Sequence, residues 1–303
     1  MKQYHELLTD ILENGELRED RTNTGTISVF GRQLRFDLAG SFPAVTTKKL
    51  AWKSVVSELL WFLEGNSDER RLAEILYGSK DSSLTTIWTG NAEADYWRDR
   101  ANFPGDLGRV YGVQWRHWRR VPVVIEDIVH EDDLGAWFSG PIELKNDIDQ
   151  IANLIEGLKN DPNGRRHILS AWNVGELDQM ALPPCHVMSQ FYVSKGKLSC
   201  HMYQRSADVF LGLPFNIASY ALFTHMIAQV CDLGVGELII STGDTHIYSN
   251  HVEQVKEQLM RESLPLPTLW LNPEIKDIDK FTMSDIKLVG YKSHAALPAP
   301  MAV

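Results

Sequence analysis

The stretch that decides the fold is Val187-Met-Ser-Gln-Phe-Tyr-Val-Ser-Lys-Gly-Lys-Leu-Ser-Cys-His-Met-Tyr-Gln204, because it predicts a β-hairpin. Lys195-Gly196 supplies the turn between the two strands. In the second strand Leu198, Cys200 and Met202 alternate with polar residues, so the two sets of side chains point to opposite faces. We therefore expect a sheet with one apolar and one polar face.

Apolar residues on both sides of this hairpin predict further elements. Residues 216–231 are apolar almost all round, which is typical of a helix buried in the centre of a fold. The spacing of apolar residues predicts helices over 4–12, 52–63, 148–158 and 252–259, and strands over 26–30, 33–36, 167–172 and 237–241. The mixture indicates the α+β class, with a large mixed β-sheet packed with helices, including a buried central helix.

The chain of 303 residues contains no internal repeat and no linker composition, so we expect a single domain over residues 1–303. Residues 66–147 are less regular and rich in Trp, Arg and Asp, which indicates a variable small subdomain within it. Residues 121–145 are typical of an insertion, because they mix an acidic run with apolar residues and Gly or Pro turns.

The composition excludes several classes of protein. A formal net charge of −10 argues against non-specific nucleic-acid binding, which needs a cationic surface. Three cysteines without CxxC spacing argue against a disulfide framework or a zinc site, and we expect no metal. The first residues contain no apolar core, so we expect no signal peptide, and no apolar run is long enough for a membrane span. We therefore expect a cytoplasmic protein with reduced thiols.

Cys185 is the candidate nucleophile. Pro183-Pro184 would hold its backbone rigid, and a nearby cation would favour the reactive thiolate. The alternative for any single cysteine is a buried structural role, which we assign to Cys200 and Cys231. His186 could act as a general base for Cys185, but adjacent residues on an extended chain point to opposite faces, which argues against direct pairing.

Three segments place an arginine beside a hydroxyl or a second arginine. They are Arg21-Thr22, Arg165-Arg166 and Arg205-Ser206. Arginine forks bind phosphate oxygens in a bidentate manner, and hydroxyl groups complete such a site. The alternative is a set of solvated surface charges, and convergence of the three segments is a hypothesis at this stage.

Four further polar residues are candidates for a functional site. Asn216 begins an apolar helix, so it is either an N-cap or a reader of a nucleobase edge through its carboxamide. His246 and Tyr248 are two residues apart after a strand, and in extended geometry they would face one way. Glu58 lies at the edge of the apolar face of its helix, where it is either a solvated charge or a proton-handling group.

A set of motifs in fixed order resembles the folate-dependent, cysteine-nucleophile thymidylate synthases. The resemblance runs nearly the whole length of the chain, and these motifs carry it: Asp20-Arg-Thr-Asn-Thr-Gly-Thr26, Phe42-Pro-Ala-Val-Thr-Thr-Lys48, Glu58-Leu-Leu-Trp-Phe-Leu63, Thr86-Ile-Trp88, Asp106-Leu-Gly-Arg-Val-Tyr-Gly112, Gln114-Trp-Arg116, Arg165-Arg166, Ser170-Ala-Trp-Asn173, Met180-Ala-Leu-Pro-Pro-Cys-His186, residues 203–216, residues 243–251 and Pro300-Met-Ala-Val303.

The resemblance implies roles in the reductive methylation of dUMP to dTMP. Cys185 would attack C6 of the uracil ring, Glu58 would organise water and proton transfer, and Tyr111 would assist loss of the C5 proton. It also implies that one sheet face forms a homodimer interface, across which Arg165 and Arg166 reach the partner's phosphate site. The other catalytic and substrate-binding residues implied are Arg21, Gln204, Arg205, Ser206, Asp208, Asn216, His246 and Tyr248.

The resemblance implies 5,10-methylenetetrahydrofolate as the one-carbon donor and hydride source, with dihydrofolate as the second product. The cosubstrate would be bound by residues that are mostly apolar, and the C-terminal residue would close over it. These residues are Ile87, Trp88, Leu182, Asp208, Gly212, Phe215 and Val303.

Three residues depart from the usual motifs of that family: Thr89 replaces Asp, Arg109 replaces Pro, and Asn23 replaces Gly. None is a catalytic group, but they bear on cofactor handling. The resemblance therefore leaves a dUMP hydroxymethylase open, in which water instead of hydride captures the exocyclic methylene. A non-catalytic nucleotide-binding regulator is the third alternative. Asn216 favours a uracil base, and Trp88 with Leu182 favours a dry pocket and hydride transfer.

Overall fold

The computed structural model of the chain describes residues 1–19, 24–120, 123–131, 137–144 and 147–301. Its main element is a six-stranded mixed sheet with the order β1-β2-β8-β7-β6-β5, in which only β7 and β8 run parallel to each other. The strands are β1 (Glu16–Arg18), β2 (Thr26–Asp37), β5 (Ile168–Ser170), β6 (His186–Ser194), β7 (Lys197–Asp208) and β8 (Gly234–Tyr248).

Helices and two small hairpins surround this sheet. The helices of the described chain are α1 (Lys2–Asn14), α2 (Trp52–Leu63), α3 (Glu69–Tyr77), α4 (Thr89–Ala92), α5 (Asp95–Arg98), α6 (Tyr111–Arg116), α7 (Gln150–Asn160), α8 (Gly212–Val230) and α9 (Val252–Leu259). The hairpins are formed by β3 (Val123–Glu131) with β4 (Trp137–Leu144), and by β9 (Thr268–Leu271) with β10 (Ile286–Val289). These elements confirm the α+β prediction.

The central hairpin has the form that the sequence predicts. Lys195 and Gly196 both have positive φ, at 50° and 71°, and this conformation matches the right-handed twist of the flanking strands. Leu198, Cys200 and Met202 are buried on the face of β7 that packs against α8, so the apolar face of the sheet lies in the core. The long strand β7 then carries the chain directly into the site region.

Helix α8 is the buried central helix. Fourteen of its 18 side chains from Leu213 to Val230 are buried, and it packs against β7, β8 and α2. Its predicted start was wrong: the helix begins at Gly212, not at Asn216. Asn216 therefore lies in the second turn, and the N-cap interpretation is excluded because Leu211 occupies the cap position.

Two strand predictions also need correction. The segments 26–30 and 33–36 form one continuous strand, because residues before and after Gly31 pair in a single register with β8. Gly31 absorbs the irregularity with a φ of 72°. The strand predicted over 237–241 extends to Tyr248, so His246 and Tyr248 belong to β8 itself rather than to a loop after it.

The described residues of the irregular region 66–147 form four short helices and the β3–β4 hairpin. The hairpin occupies most of the predicted insertion at 121–145, and its register shifts between Ile125 and Ile128. Pairing of Trp118 with Ile148 closes the base of the insertion, so the chain returns to the main body at the point where it left.

Candidate active site

A cavity of about 310 Å³ lies where the ends of β7 and β8 meet α2, α8 and the loop before α4. Cys185 lines it, half-buried at the start of β6. The cavity gathers most of the residues that the resemblance implies: Glu58, Ile87, Trp88, Tyr111, Leu182, Gln204, Ser206, Asp208, Gly212, Phe215, Asn216, His246 and Tyr248. The sequence prediction that these residues form one site is thus consistent with their placement.

Arg205 fixes the backbone that carries the thiol. Its guanidinium donates to the carbonyl oxygens of Pro183 and Pro184 at 2.8 and 2.9 Å, and its backbone N–H donates to the carbonyl of Cys185 at 2.9 Å. The guanidinium also lies 5.4 Å from the Trp172 ring. Two charge-assisted hydrogen bonds to a proline pair leave this segment little freedom.

The protonation of Cys185 reflects two opposing effects. Burial raises the pKa of the thiol, while the positive charge of Arg205 and a hydrogen bond with Tyr111 lower it. Burial dominates, so the net pKa lies above that of an ordinary cysteine. The expected cation is therefore present, but the free protein holds Cys185 mainly as the thiol at neutral pH.

Tyr111 is held against both the thiol segment and helix α2. The backbone N–H of Cys185 donates to its phenol oxygen at 2.7 Å, and its ring stacks on Phe62 at 4.8 Å between centroids. Gly112 allows this approach, because a Cβ there would lie 2.3 Å from the carbonyl oxygen of Phe62. Burial raises the pKa of Tyr111 well above its ordinary value, so the phenol stays protonated.

Arg109, a departure from the family motif, anchors the segment that leads to Tyr111. Its side chain donates to the buried carboxylate of Glu176, which also accepts from Gln114 at 2.8 Å. Burial acts to raise the pKa of Glu176, but the hydrogen bonds from Arg109 and Gln114 outweigh it and lower the pKa. The substitution thus introduces an ion pair beside the site without placing a charge inside the cavity.

Glu58 is a buried carboxyl group, which excludes the alternative of a solvated charge. Trp88 donates to it from the indole N–H at 2.8 Å. Burial raises the pKa of Glu58 to about 7, and the hydrogen bond from Trp88 acts in the opposite direction. A carboxyl group with such a pKa exchanges protons readily at neutral pH.

The polar end of the cavity presents carboxamide groups. Gln204 donates to the side-chain oxygen of Asn216 and to the backbone carbonyl of Ser206, both at 3.0 Å. The Gln204 side-chain oxygen and the Nδ1 atom of His186 are buried and have no hydrogen-bond partner among the described residues. Buried polar atoms are normally paired, so these two atoms are available to a polar ligand.

His186 cannot serve as the base for Cys185. Burial lowers its pKa to about 4, and a hydrogen bond with Asn216 acts in the opposite direction. Its ring packs against Tyr111 and Tyr220, at 5.2 Å between centroids in each case. The imidazole is therefore a neutral and weakly basic neighbour of the thiol, although both residues line the same cavity.

His246 and Tyr248 face the same way, as predicted, with their ring centroids 5.1 Å apart. The Nδ1 atom of His246 lies 2.8 Å from a carboxylate oxygen of Asp244, whose other oxygen accepts from Arg18 at 3.1 Å. A proton on Nδ1 satisfies the Asp244 carboxylate and leaves Nε2 as an acceptor. The pair therefore offers an acceptor and a phenol to the cavity.

Asp208 closes the opposite side at the start of α8. Its carboxylate accepts from the backbone N–H groups of Phe210 and Leu211 at 3.0 and 3.1 Å. Gly212 and Phe215 follow on the first turn of the helix, and Leu182 approaches from the thiol segment. The result is an apolar slot with one fixed carboxylate at its edge.

Some predicted site residues are not brought to this cavity. Arg165 and Arg166 are exposed and line a separate depression beside the end of α7. Arg205 acts on the backbone of the thiol segment as described, and it does not line the cavity. Arg21, Val303 and the departure Asn23 lie outside the described residues.

Sequence reasoning missed other lining residues: Phe62, Asn91, Leu211 and Met301. Phe62 carries a usable signal, because it is one helical turn after Glu58 and so shares its face. Met301 reaches the cavity because the preceding carbonyl, that of Pro300, accepts from the buried ring of His251 at 2.7 Å. No pattern in the sequence predicts that contact.

In the part of the chain that the structure describes, no group of three or more His, Cys, Asp or Glu side chains is arranged to hold a metal ion. Across the same residues, none of the helices combines the length and the apolar character that crossing a bilayer requires.

The comparison with known protein families agrees with the site. The sequence model of the thymidylate synthase family, a family of methyltransferases that use a folate cosubstrate, matches residues 2–303. The chain belongs to the thymidylate synthase family.

Proposed function

We propose that this protein is a thymidylate synthase, which converts dUMP to dTMP with 5,10-methylenetetrahydrofolate. The observation that supports this most directly is that one cavity combines a thiol, two carboxamides, a His–Tyr pair and an apolar slot. These groups match, in order, a nucleophile, readers of a pyrimidine edge, a partner for a sugar hydroxyl and a wall for a flat pteridine ring.

The nucleotide is oriented so that the thiol faces C6 of the uracil. Asn216 and Gln204 hydrogen-bond the pyrimidine edge, and His246 accepts from the sugar hydroxyl. Ser206 holds the phosphate with Arg21 and with Nη1 of Arg205, because the bonds from Arg205 to Pro184 and Pro183 use Nε and Nη2. Arg165 and Arg166 complete this site from a second copy of the chain. A dianion in such a cradle gains strongly from bidentate arginine contacts.

Bond formation begins when the Cys185 sulfur adds to C6 and releases its proton. The electron pair of the C5–C6 bond moves toward C5 and O4, and Glu58 stabilises the resulting charge by holding a proton near O4. C5 then attacks the one-carbon unit, and the bond from that carbon to the folate nitrogen breaks as Tyr111 assists loss of the C5 proton. Hydride adds to the transferred carbon, the C5–C6 double bond re-forms, and the thiolate leaves from C6. The second substrate, 5,10-methylenetetrahydrofolate, supplies the one-carbon unit and the hydride that reduces it.

The residues that face the second substrate exclude water from the transferred carbon. Trp88, Leu182 and Phe215 form the apolar slot, and Asp208 offers a carboxylate to the N–H groups of a pteridine. The slot is closed by the C-terminal residue Val303, which lies outside the described residues, and Met301 already lines the cavity. A dry slot favours capture of the exocyclic methylene by hydride over capture by water.

The active form is a homodimer that pairs through the exposed face of the large sheet. Aromatic and aliphatic side chains remain accessible there, with Tyr192 at 63%, Ile168 at 45% and Tyr203 at 40% exposure. An isologous contact through this face would bring Arg165 and Arg166 of each copy toward the other copy's site. Cytoplasmic localisation accords with three unpaired thiols.

Product analysis tests this proposal against its alternatives. The protein is mixed with dUMP and 5,10-methylenetetrahydrofolate, and the nucleotide and folate products are separated by chromatography. We expect dTMP and dihydrofolate in equal amounts. Hydroxymethyl-dUMP with tetrahydrofolate would instead identify a dUMP hydroxymethylase, and tight dUMP binding without turnover would identify a nucleotide-binding regulator.

The base assignment has its own test in Asn216→Asp. A carboxylate accepts hydrogen bonds but offers no N–H, so it suits the amino edge of cytosine better than the carbonyl edge of uracil. We expect the ratio of kcat/KM for dUMP over dCMP to fall by at least about 100-fold. If dUMP selectivity were unchanged, Asn216 would not be the reader of the base.

A further inference from the structure

We propose that the buried carboxylate of Glu69 is a positioning residue, which fixes the loop carrying Trp88 and so holds the Trp88 indole against Glu58. The inference rests on the proposed function, in which Glu58 handles a proton at the base. Glu69 lies in the first turn of α3, does not line the cavity and is only 1% exposed. A carboxylate buried this deeply requires hydrogen-bond or ion-pair partners that offset the free-energy cost of its desolvation.

Two hydroxyl groups of the Trp88 loop converge on one oxygen of this carboxylate. Thr86 and Thr89 each donate to Oε1 of Glu69 at 2.6 Å. The distances are typical of O–H···O⁻ bonds, which are about twice as strong as neutral ones. Glu69 therefore holds both ends of the four-residue segment Thr86–Thr89, which has Trp88 inside it.

The same two hydroxyl groups accept from the backbone of the loop. The N–H of Trp88 donates to Thr86 at 3.1 Å, and the N–H of Thr86 donates to Thr89 at 2.8 Å. A hydroxyl has one proton to donate. Each threonine donates its one hydroxyl proton to a hydrogen bond with Glu69, so the lone pairs of both hydroxyls remain directed at the loop N–H groups. These hydrogen bonds together fix the conformation of the loop.

Arg70 completes the network from the other side. It donates to the second carboxylate oxygen of Glu69 and, at 2.9 Å, to the backbone carbonyls of Asp81 and Leu84. The Glu69–Arg70 ion pair is largely shielded from solvent. Helix α3 thus anchors the loop at its beginning through Arg70 and at its end through Glu69.

The loop that Glu69 holds carries Trp88, and Trp88 in turn donates a hydrogen bond to Glu58. A donor at 2.8 Å stabilises the ionised form of a carboxyl group and keeps its pKa lower than burial alone would. Loosening the loop weakens this bond, so Glu58 would bind its proton more tightly. The pKa of Glu58 therefore reports whether Glu69 positions Trp88.

The other titratable groups that face Glu58 do not obscure this readout. Burial raises the pKa values of Tyr111, from α6, and Tyr220, from α8, well above their ordinary range. Beside β6, burial raises the pKa of Cys185 and lowers that of His186 to about 4. Glu58 is thus the member of this cluster that titrates between pH 6 and 8, since its pKa is about 7.

The experiment follows the indole N–H signal of Trp88 by NMR in ¹⁵N-labelled protein without substrates, with Trp88→Phe to assign it. In the unaltered protein the signal should titrate with the midpoint of Glu58. In Glu69→Gln an amide cannot accept from both threonines and from Arg70 at once, so we expect the midpoint to rise by about 0.5 to 1 pH unit. Thr89→Val, which removes one tether without changing the shape, should give a smaller rise.

Two further variants separate positioning from general stability. Glu74→Gln, on the exposed side of the same helix, should leave the midpoint unchanged. Glu69→Gln with Thr89→Asp returns a carboxylate to within reach of Thr86 and Arg70, since the Thr89 hydroxyl already lies 2.6 Å from Glu69. This double variant should restore the midpoint.

An unchanged midpoint in both Glu69→Gln and Thr89→Val would overturn the assignment, as would a rise that Glu69→Gln with Thr89→Asp leaves uncorrected. Because the titration uses no substrate, its outcome is independent of which product the enzyme makes. Should Glu69→Gln fail to fold, Thr89→Val alone decides between the outcomes.

Discussion

The two walls of the candidate active site are built in different ways. One wall belongs to the large sheet: Cys185, Gln204 and His246 extend from β6, β7 and β8 or their ends, where paired backbones fix their spacing. The other wall consists of Glu58 on α2, Trp88 in the loop before α4 and Tyr111 at the start of α6, held by side-chain hydrogen bonds and aromatic packing. The sheet wall offers a nucleophile and polar recognition groups, and the helix–loop wall offers protonated, desolvated groups.

This difference separates substrate binding, which belongs to the sheet wall, from proton handling, which belongs to the helix–loop wall. Some polar atoms of the sheet wall, such as the side-chain oxygen of Gln204, have no hydrogen-bond partner among the described residues and are therefore available to a ligand. On the helix–loop wall, burial has moved the pKa of Glu58 to about 7 and that of Tyr111 well above its ordinary value. Substitutions in the first wall should therefore change chemistry at the thiol or affinity, and substitutions in the second should change pH dependence.

The largest effect is expected for Cys185→Ser. A hydroxyl is a far weaker nucleophile than a thiol, so turnover should fall by at least about 10⁴-fold. The other groups of the sheet wall remain, so calorimetry should still detect dUMP binding of similar affinity. Cys231→Ser, at a half-buried position away from the cavity, is the matched control and should keep its activity. Loss of dUMP binding in Cys185→Ser would contradict the separation of the two roles.

The second-largest effect is expected on the pH dependence of the free energy of unfolding, and it arises from Glu58 in the helix–loop wall. The pKa of Glu58 is raised from 4.5 to about 7, so between these values the folded protein holds a proton that the unfolded chain releases. Its contribution to the free energy of unfolding is therefore greatest below pH 4.5 and falls by about 3 kcal/mol as the pH rises to 7, at roughly 1.4 kcal/mol per pKa unit.

Glu58→Gln removes this titration. We expect the difference in unfolding free energy between the variant and the unaltered protein to change steadily between pH 5 and 7 and to level off above pH 7. Urea unfolding at each pH measures it, with exposed Glu253→Gln as the control. A difference that stays constant with pH would mean that Glu58 is ionised in the fold and does not handle a proton near neutrality.

The same contrast explains what the sequence could predict. Alternation along β7 and the two-residue spacing of His246 and Tyr248 are local patterns, and both give the correct side-chain directions. The turn at Lys195-Gly196 was predicted for the same reason. Other local predictions were wrong: Gly31 does not divide β2 into two strands, and the helix predicted from Asn216 already includes the four apolar or turn-forming residues before it. The short strands β1, β9 and β10 were not predicted.

The helix–loop wall depended on the resemblance, because its contacts join residues that are far apart in the chain. Nothing in the sequence around Glu58 indicates that Trp88, thirty residues later, will donate to it. The buried pair of Arg109 and Glu176 is separated by 67 residues and gives no periodic signal. Such contacts follow from tertiary packing, which single-sequence patterns do not encode.

The smallest effect is expected for Asp244→Asn, which weakens the hydrogen bond that sets the tautomer of His246 in the sheet wall. Asp244 accepts from Nδ1 of His246 at 2.8 Å and so favours the tautomer whose Nε2 accepts from a sugar hydroxyl. An uncharged amide weakens that preference, which should raise KM for dUMP by about 3- to 10-fold and leave kcat nearly unchanged. Steady-state kinetics measure the split, and exposed Asp232→Asn, at a position with φ of 54° that asparagine tolerates, is the control. A fall in kcat at constant KM would assign the Asp244–His246 pair to the chemical step, and the sheet wall would then share the work of proton handling with Glu58.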